Sequence, residues 1–392
     1  MEQLFPAIIC VGYNRPDAME TLLTSIGVAS YPEGSVPLIV SIDWSDRQKD
    51  VKAVADAFNW THGEKTVRCF DSRQGLRNHI LQCGDLSGQY GAAIVLEDDL
   101  IVSPAFYQYA AKAASFYNDE ASVCGVALYS HAWNGYANVQ FLPQKNGFDT
   151  YLGQFSITWG ECWTKRQWQG FRTWYAAHEG GKAAFDERMP EDITHWPETS
   201  WGKYFVSYII EKDLSYVMPY TALATNNEQP GQHNAGGDNS HQVMLLDAAD
   251  MPYRFAPIQE AVQYDIFFER RNLPLPSRLD ISSDEVCVDL HGQHATVLGK
   301  AYLLTLKKYD APVIASFGLR LRPIEINVIR DLPGDVIRLY RVDGVVPRLV
   351  SDDESLRMEY ELYRFGWRRL LNYSVGTCFK KLCGRIRRTI IK

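Results

Sequence analysis

The sequence predicts an α/β fold: a mostly parallel sheet flanked by helices, with a small β-rich extension and a C-terminal amphipathic helix. Three observations predict it. Short apolar strands alternate with amphipathic helices over about the first 130 residues. Short β-like runs replace that alternation from about Pro274 to Val350. A helical apolar stripe with a basic flank closes the chain. Alternation of this kind is the pattern of a parallel sheet covered on both faces.

"AIICVG" (7–12) reads as a short buried strand. Pro16 opens a helix where its missing N–H costs nothing, and Met19, Leu22, Leu23 and Ile26 give that helix one apolar face. "PLIVSID" (37–43) is the second strand, and Val51, Val54, Ala55 and Phe58 mark the second helix. "TVRCF" (66–70) and "AAIVLE" (92–97) are the third and fourth strands. Ser103 and Pro104 form the cap and first turn of a helix running to about Tyr117, and "SVCGVALYS" (122–130) is a further strand. Ligands gather beyond the carboxyl ends of parallel strands. The ends here are Gly12 to Arg15, Asp43, Asp71 to Arg73, and Glu97 to Asp99. All are polar and are expected to converge on one edge.

Residues 131 to 250 differ. Six of the ten tryptophans fall between Trp159 and Trp201, the periodicity is weak, and loops are expected. "QPGQHNAGGDNSH" (229–241) has almost no core-forming residues. Such a stretch is either a disordered tip or a loop ordered by ligand. In the tail, Leu356, Tyr360, Tyr363, Trp367 and Leu370 form one stripe. Phe379, Leu382 or Cys383, Ile386 and Ile390 form another, flanked by Lys380, Lys381, Arg385, Arg387 and Arg388. The chain divides into 1–265, 266–350 and 351–392.

The formal net charge of −7 argues against nucleic acid as a partner. It hides an asymmetry. Arg364 to Lys392 carry nine Lys or Arg and no Asp or Glu, so the rest of the chain holds 31 basic and 47 acidic residues, or −16. A basic tail on an acidic body is expected to meet an anionic membrane surface, with a partner-docking helix or a packed terminal helix as alternatives. Eight scattered cysteines without a metal-like spacing indicate a reducing compartment. The start, MEQLFPAII, lacks a signal-peptide pattern, and no run of about 18 apolar residues exists. A cytoplasmic protein, peripheral on the inner face of the cytoplasmic membrane, is expected.

The strand "AAIVLE" runs straight into Asp98 and Asp99. Three adjacent carboxylates repel one another unless something positive sits among them. Hard oxygen ligands at this density suit Mg2+ or Mn2+. Glu97 and Asp99 point one way along an extended chain and Asp98 the other, so all three cannot bind one ion. The plainer alternative is that the acids favour the positive end of the following helix.

"VLEDDLIVSPAFYQYAAKAASFY" resembles the metal-binding segment of GT-A-type (Rossmann-like) glycosyltransferases, nearest to N-acetylglucosaminyltransferase I-like enzymes and to bacterial surface-polysaccharide (family 2-like) glycosyltransferases. "CVGYNRPDAMETLLTSI", "VSIDWSD" (40–46), "DSRQGLRNHIL" (71–81), "SITWGECWTKRQW" (156–168) and "LSYVMPYTALATNNEQPGQHNAGGDNSH" resemble further segments of those families, in the same order. The resemblance implies a metal-dependent transfer of a sugar from a nucleotide-diphosphate sugar to a hydroxyl of a glycan or lipid-linked acceptor. It also implies inversion and a place in surface polysaccharide (LPS or capsule) synthesis. On matching positions, Asp99 is the metal ligand, and His241 reaches the metal or diphosphate, or is a plain surface-loop histidine. Glu97 and Asp98 contact ribose and donor sugar; Asn14, Arg15, Asp43 and Arg77 lie on the nucleotide side. In one departure from the relatives, Gly202 and Lys203 stand where an acid would serve as base. Glu198 is then ranked first as base, ahead of Asp192 and Glu191. Trp159 and Trp163 are expected to be structural, and Trp196 or Trp201 to face the acceptor. The rival readings are a non-catalytic carbohydrate-binding or scaffolding protein and a nucleotidyltransferase.

Overall fold

A computed structural model describes residues 3–155, 157–178, 186–227, 241–352, 354–362 and 366–390. The first part alternates as expected. Strands β1 (Ala7–Gly12), β2 (Leu38–Ile42), β3 (Lys65–Cys69) and β4 (Ala92–Glu97) are separated by α1 (Pro16–Gly27), α2 (Gln48–Ala57), α3 (Leu76–Gly84) and the single turn α4 (Ser87–Tyr90). β1 pairs in parallel with β2 and β4, and β2 with β3. β1 and β2 are buried along their whole length, which is why they read as unbroken apolar runs. α1 buries Met19, Leu22, Leu23 and Ile26 against them.

β5 (Leu100–Val102), α5 (Phe106–Tyr117) and β6 (Val123–Ala127) follow, then the small pair β7 (Trp133–Asn134) and β8 (Val139–Gln140). Next come β9 (Thr150–Gly153), β10 (Glu161–Thr164), α6 (Lys165–His178), α7 (Trp201–Glu211), β11 (Ser215–Pro219), β12 (Ala224–Asn226) and β13 (Gln263–Tyr264). The central sheet has nine strands in the order β13-β9-β11-β6-β10-β4-β1-β2-β3. β10 runs antiparallel to both β4 and β6, and β9 antiparallel to β11. The sheet is therefore mostly parallel with reversed strands inserted.

The loops expected over 131–250 are largely replaced by strands and two helices, and this is a correction. α7 is buried at every position from Trp201 to Ile210, and a helix buried all round shows no polar face to betray its period. α6 turns Trp168, Phe171, Trp174 and Tyr175 into the same aromatic core.

The extension is β-rich, as read. β14 (Val286–Asp289), β15 (Tyr302–Thr305), β16 (Lys308–Tyr309), β17 (Val313–Phe317), the turn α8 (Ile326–Ile329), β18 (Ile337–Arg341) and β19 (Leu349–Ser351) build it. Four of these strands form one sheet, β14-β15-β18-β17, over a core including Leu304, Phe317, Val328 and Leu339. The extension is fastened to the main sheet: Tyr264 Oη donates to Glu325 Oε1 at 2.6 Å and the His291 amide to Glu269 Oε1 at 2.5 Å. The hand-over runs through 266–273. Phe268 stacks on Phe155 of the main body at 4.2 Å, and Leu273 joins the extension's core. α9 (Glu354–Leu362) and α10 (Trp367–Ile390) end the described chain. Tyr363 and the side chains of 379–390, on which part of the expected stripe falls, lie outside the described residues. Among the described residues no helix is long and apolar enough to cross a membrane.

Candidate active site

Register puts the two acid- and base-bearing loops side by side. Val11 of β1 pairs with Glu97 of β4, so 13–15 and 97–99 leave the sheet together. A Cβ on Gly12 at this exit would meet the tip of the flexible Met19 side chain, Cε at 2.6 Å. The Arg15 guanidinium ion-pairs with the Asp98 carboxylate, and its Nη2 lies 3.6 Å from Asp99 Oδ2. Arg15 is thus the positive charge that three adjacent carboxylates require. Asn14, in the same loop, is half-buried.

Burial sets the electrostatics. Asp98 is 4 % exposed, and desolvation pushes its carboxyl up to about 6 against the pull of Arg15. Glu97 is driven well above the usual carboxylate range by burial, Asp99 and Asp98. A fourth acid, missed in the sequence reading, stands beside them. Glu161 pairs with Val95 across the β10–β4 ladder, on the same sheet face as Glu97. It is buried, raised well above its ordinary value by burial and by Glu97, and its Oε1 has no hydrogen-bond partner among the described residues. Its one signal in the sequence is a lone acid inside the apolar run "ECW".

Asp43 does sit at this edge, but it is 3 % exposed. Its Oδ1 accepts the Trp44 and Gln74 amides at 2.8 Å, and its Oδ2 accepts the Gly75 amide at 3.0 Å. Those bonds let Asp43 shape the loop before α3. Arg73, above the Tyr13 ring at 5.2 Å, is the open side chain there.

Beside the acid rim lies a cleft of about 620 Å³ lined by Tyr129, Trp133, Trp159, Asp192, Trp196 and His241, among others. The rim and cleft are joined through β12, which pairs with β5, and through the Asn227 amide, which donates to the Asp99 carbonyl at 2.8 Å. The His241 ring stacks on Trp159 at 4.7 Å. The glycine-rich stretch before it, 228–240, lies outside the described residues. Trp159 therefore lines the cleft, which departs from its expected structural place, and of the pair Trp196 or Trp201 it is Trp201 that is 2 % exposed in the core. Trp163 is buried and Trp196 faces the cleft, as read.

The three candidate bases separate, Glu191 being an exposed residue at the start of the turn that carries Asp192. Asp192 lines the cleft from a 3-10 turn, Glu191–His195. Glu198 is bound by Lys203 Nζ and Tyr204 Oη, both at 2.6 Å, and those bonds hold it below the usual range. A carboxylate so engaged is a poor proton acceptor. Lys203, the residue in the acid's place, is 3 % exposed and also donates to the Thr194 and Trp196 carbonyls at 3.1 and 3.0 Å. It clamps the turn that carries Asp192 and Trp196. Arg77 reaches the same knot, not the acid rim: its Nη1 donates to the Glu198 carbonyl at 2.7 Å.

Among the described residues no three His, Cys, Asp or Glu side chains converge as a closed metal site. What the rim offers is two partly open carboxylates, Glu97 and Asp99, the latter with 25 % of its side chain exposed, and behind them the buried Asp98 Oδ2, without a hydrogen-bond partner among the described residues. That fits a hard cation taking most of its ligands from phosphate and water.

No family model matches the chain, and no curated protein matches it in sequence. Among solved structures it is similar to a mannosyltransferase from Pyrobaculum calidifontis in complex with GDP-Man and Mn2+, at 11 % identity and a TM-score of 0.38 over 60 % of this chain and 59 % of that one. It is also similar to S. aureus TarS in complex with UDP-GlcNAc (13 %, TM-score 0.37, 59 % of this chain and 61 % of that one). GalNAc-T7 with UDP, GalNAc and Mn2+ is a third (10 %, TM-score 0.38, 60 % and 47 %). The chain spans less than two thirds of the length of each.

Proposed function

We propose that the chain is a metal-dependent glycosyltransferase. It would move a sugar from a nucleotide-diphosphate sugar to a hydroxyl of a glycan or lipid-linked acceptor, with inversion, in surface-polysaccharide synthesis. The observation that carries this reading is the acid rim of Glu97, Asp98 and Asp99, crossed by Arg15, opening beside an aromatic cleft. A diphosphate is anionic, and this rim would repel it, because Arg15 is already paired with Asp98. A divalent cation resolves the conflict. Asp99 would hold it, with His241 as second candidate, and the bound cation supplies Lewis-acid stabilisation of the departing diphosphate.

The chain's own residues do the rest. Arg15 holds the Asp98 carboxylate in place. Glu97 and Asp98 face donor hydroxyls, and Tyr13 with Arg73 offers a ring and a cation to the nucleotide. Trp133 and Trp196 present apolar faces on which sugar rings stack. Asp192 takes the proton from the acceptor hydroxyl. With that base across the sugar from the diphosphate, one displacement inverts the anomeric carbon. The reaction belongs on the cytoplasmic side of the membrane, where nucleotide sugar and a lipid-linked acceptor meet.

A thermal-shift screen of nucleotide sugars with and without Mn2+ tests the reading. A Mn2+-dependent rise in Tm is expected for one donor nucleotide and should vanish in Asp99→Asn, whose Tm without ligand stays that of the wild type. The engaged Glu198 and the lysine in the acid's place favour one rival, a non-catalytic saccharide-binding protein. Saccharide binding in the cleft with no nucleotide response would establish that rival.

A further inference from the structure

The C-terminal helix α10 spans 24 residues, about 36 Å of axis. Trp367, Leu371 and Val375 recur at i, i+4 and i+8 and so share one face; they are 68, 54 and 61 % exposed. Large apolar side chains aligned on one face and left in water mark a surface that something covers. Its flanks are cationic. Arg368 stands over the Trp367 ring at 5.3 Å, and among the described residues neither Arg368 nor Arg369 pairs with a carboxylate. From Arg364 to Lys392 the chain has nine basic residues and no acid. Two such tails repel each other, which disfavours a second copy as the cover. The acidic body has not drawn the helix face down onto itself, since that face is exposed. No described helix can span a bilayer, so a lipid contact must lie in its surface.

We propose that α10 is an interfacial helix that docks the protein on an anionic phospholipid bilayer. Trp367, Leu371 and Val375 enter the acyl boundary, and the arginines meet headgroup phosphates. This docking does not rest on the glycosyltransferase reading. A protein with no transferase activity would still bind.

Co-sedimentation of the full chain with vesicles tests it, comparing phosphatidylcholine alone with mixtures containing phosphatidylglycerol. Binding is expected only with the anionic lipid and is expected to fall as salt rises. The double variant L371E/V375E should lose binding at unchanged Tm. R368Q/R369Q should weaken partitioning on the order of 30-fold. Equal binding to both vesicle types, or full binding by L371E/V375E, overturns the proposal. So does concentration-dependent dimerisation that L371E/V375E abolishes in a chain that ignores vesicles. A second exposed apolar patch, Val345 and Val350 at 69 and 61 %, lies on the extension. Release from anionic vesicles by V345E/V350E but not by L371E/V375E would move the docking surface there and overturn the assignment to α10.

Discussion

The acid rim and the aromatic wall of the cleft beside it are built in opposite ways. The rim is carried by strand ends: β1 and β4 lie in register, so Arg15 meets Asp98 and Asp99 across a separation fixed by the ladder. The wall is assembled from five stretches, 129–136, 155–159, 192–196, 241–243 and 266–268, and the turn that carries Asp192 is held by one buried ammonium. Strand ends fix charges cheaply because the sheet already fixes the backbone. A loop must be fixed by dedicated side chains, and Lys203, Tyr204 and Arg77 are those side chains here. Under the proposed function, the rigid side would hold the donor and the clamped side would choose the acceptor.

If that contrast is right, removing the reactive group of the wall should cost catalysis and nothing else. Asp192→Asn is expected to lower turnover by on the order of 100- to 10,000-fold. Donor binding, read by the Mn2+-dependent thermal shift, should be unchanged. Wild-type turnover would strip the wall of its catalytic part.

The rim should instead answer in stability. Arg15→Met leaves Asp98 buried and unpaired, and a loss of about 3 kcal/mol is expected in urea unfolding. A silent substitution would mean that the rim is no more rigidly built than the wall.

The rim should also titrate. The Asp98 carboxyl lies at about 6 folded against a reference of 3.8, so the folded state holds its proton more tightly. This group's contribution therefore disfavours folding at neutral pH by up to about 3 kcal/mol, and the penalty fades as pH falls from 6 towards 3.8. Over that window the metal-free wild type should gain Tm relative to Asp98→Asn, which lacks the titration. Parallel pH profiles of the two proteins would remove Asp98 from the buried rim.

The smallest effect is expected at Glu198. Its side chain is half exposed, and a carboxamide still offers an acceptor to the buried Lys203 ammonium, so Glu198→Gln should change stability by about 1 kcal/mol and turnover by a few-fold at most. A large loss of turnover would return the base role to Glu198 and undo the division between the two carboxylates of the wall.

The parallel strands, the helix after Pro16, the carboxylate run at the end of β4 and the basic tail were legible in the sequence. Each is a local pattern, set by apolar period, by chain direction or by residues adjacent in the chain. The tryptophan-rich half was not. β10 enters antiparallel between β4 and β6, and nothing local encodes strand direction, so Glu161 could not be seen to join Glu97. The loop contacts of Asp43 and Arg77 were equally hidden, whereas Lys203 and Tyr204, which hold the Glu198 carboxylate, lie five and six residues along the chain. Arg77 and Glu198 are 121 residues apart, and Asp43 spends its oxygens on amides 31 and 32 residues away. The sequence by itself determined which residues carry charge and which can form strands. Only the tertiary structure decided which carboxylates are paired, buried or open to a ligand. Desolvation and hydrogen bonding, which set a carboxylate's chemistry, are properties of its surroundings and not of the residue.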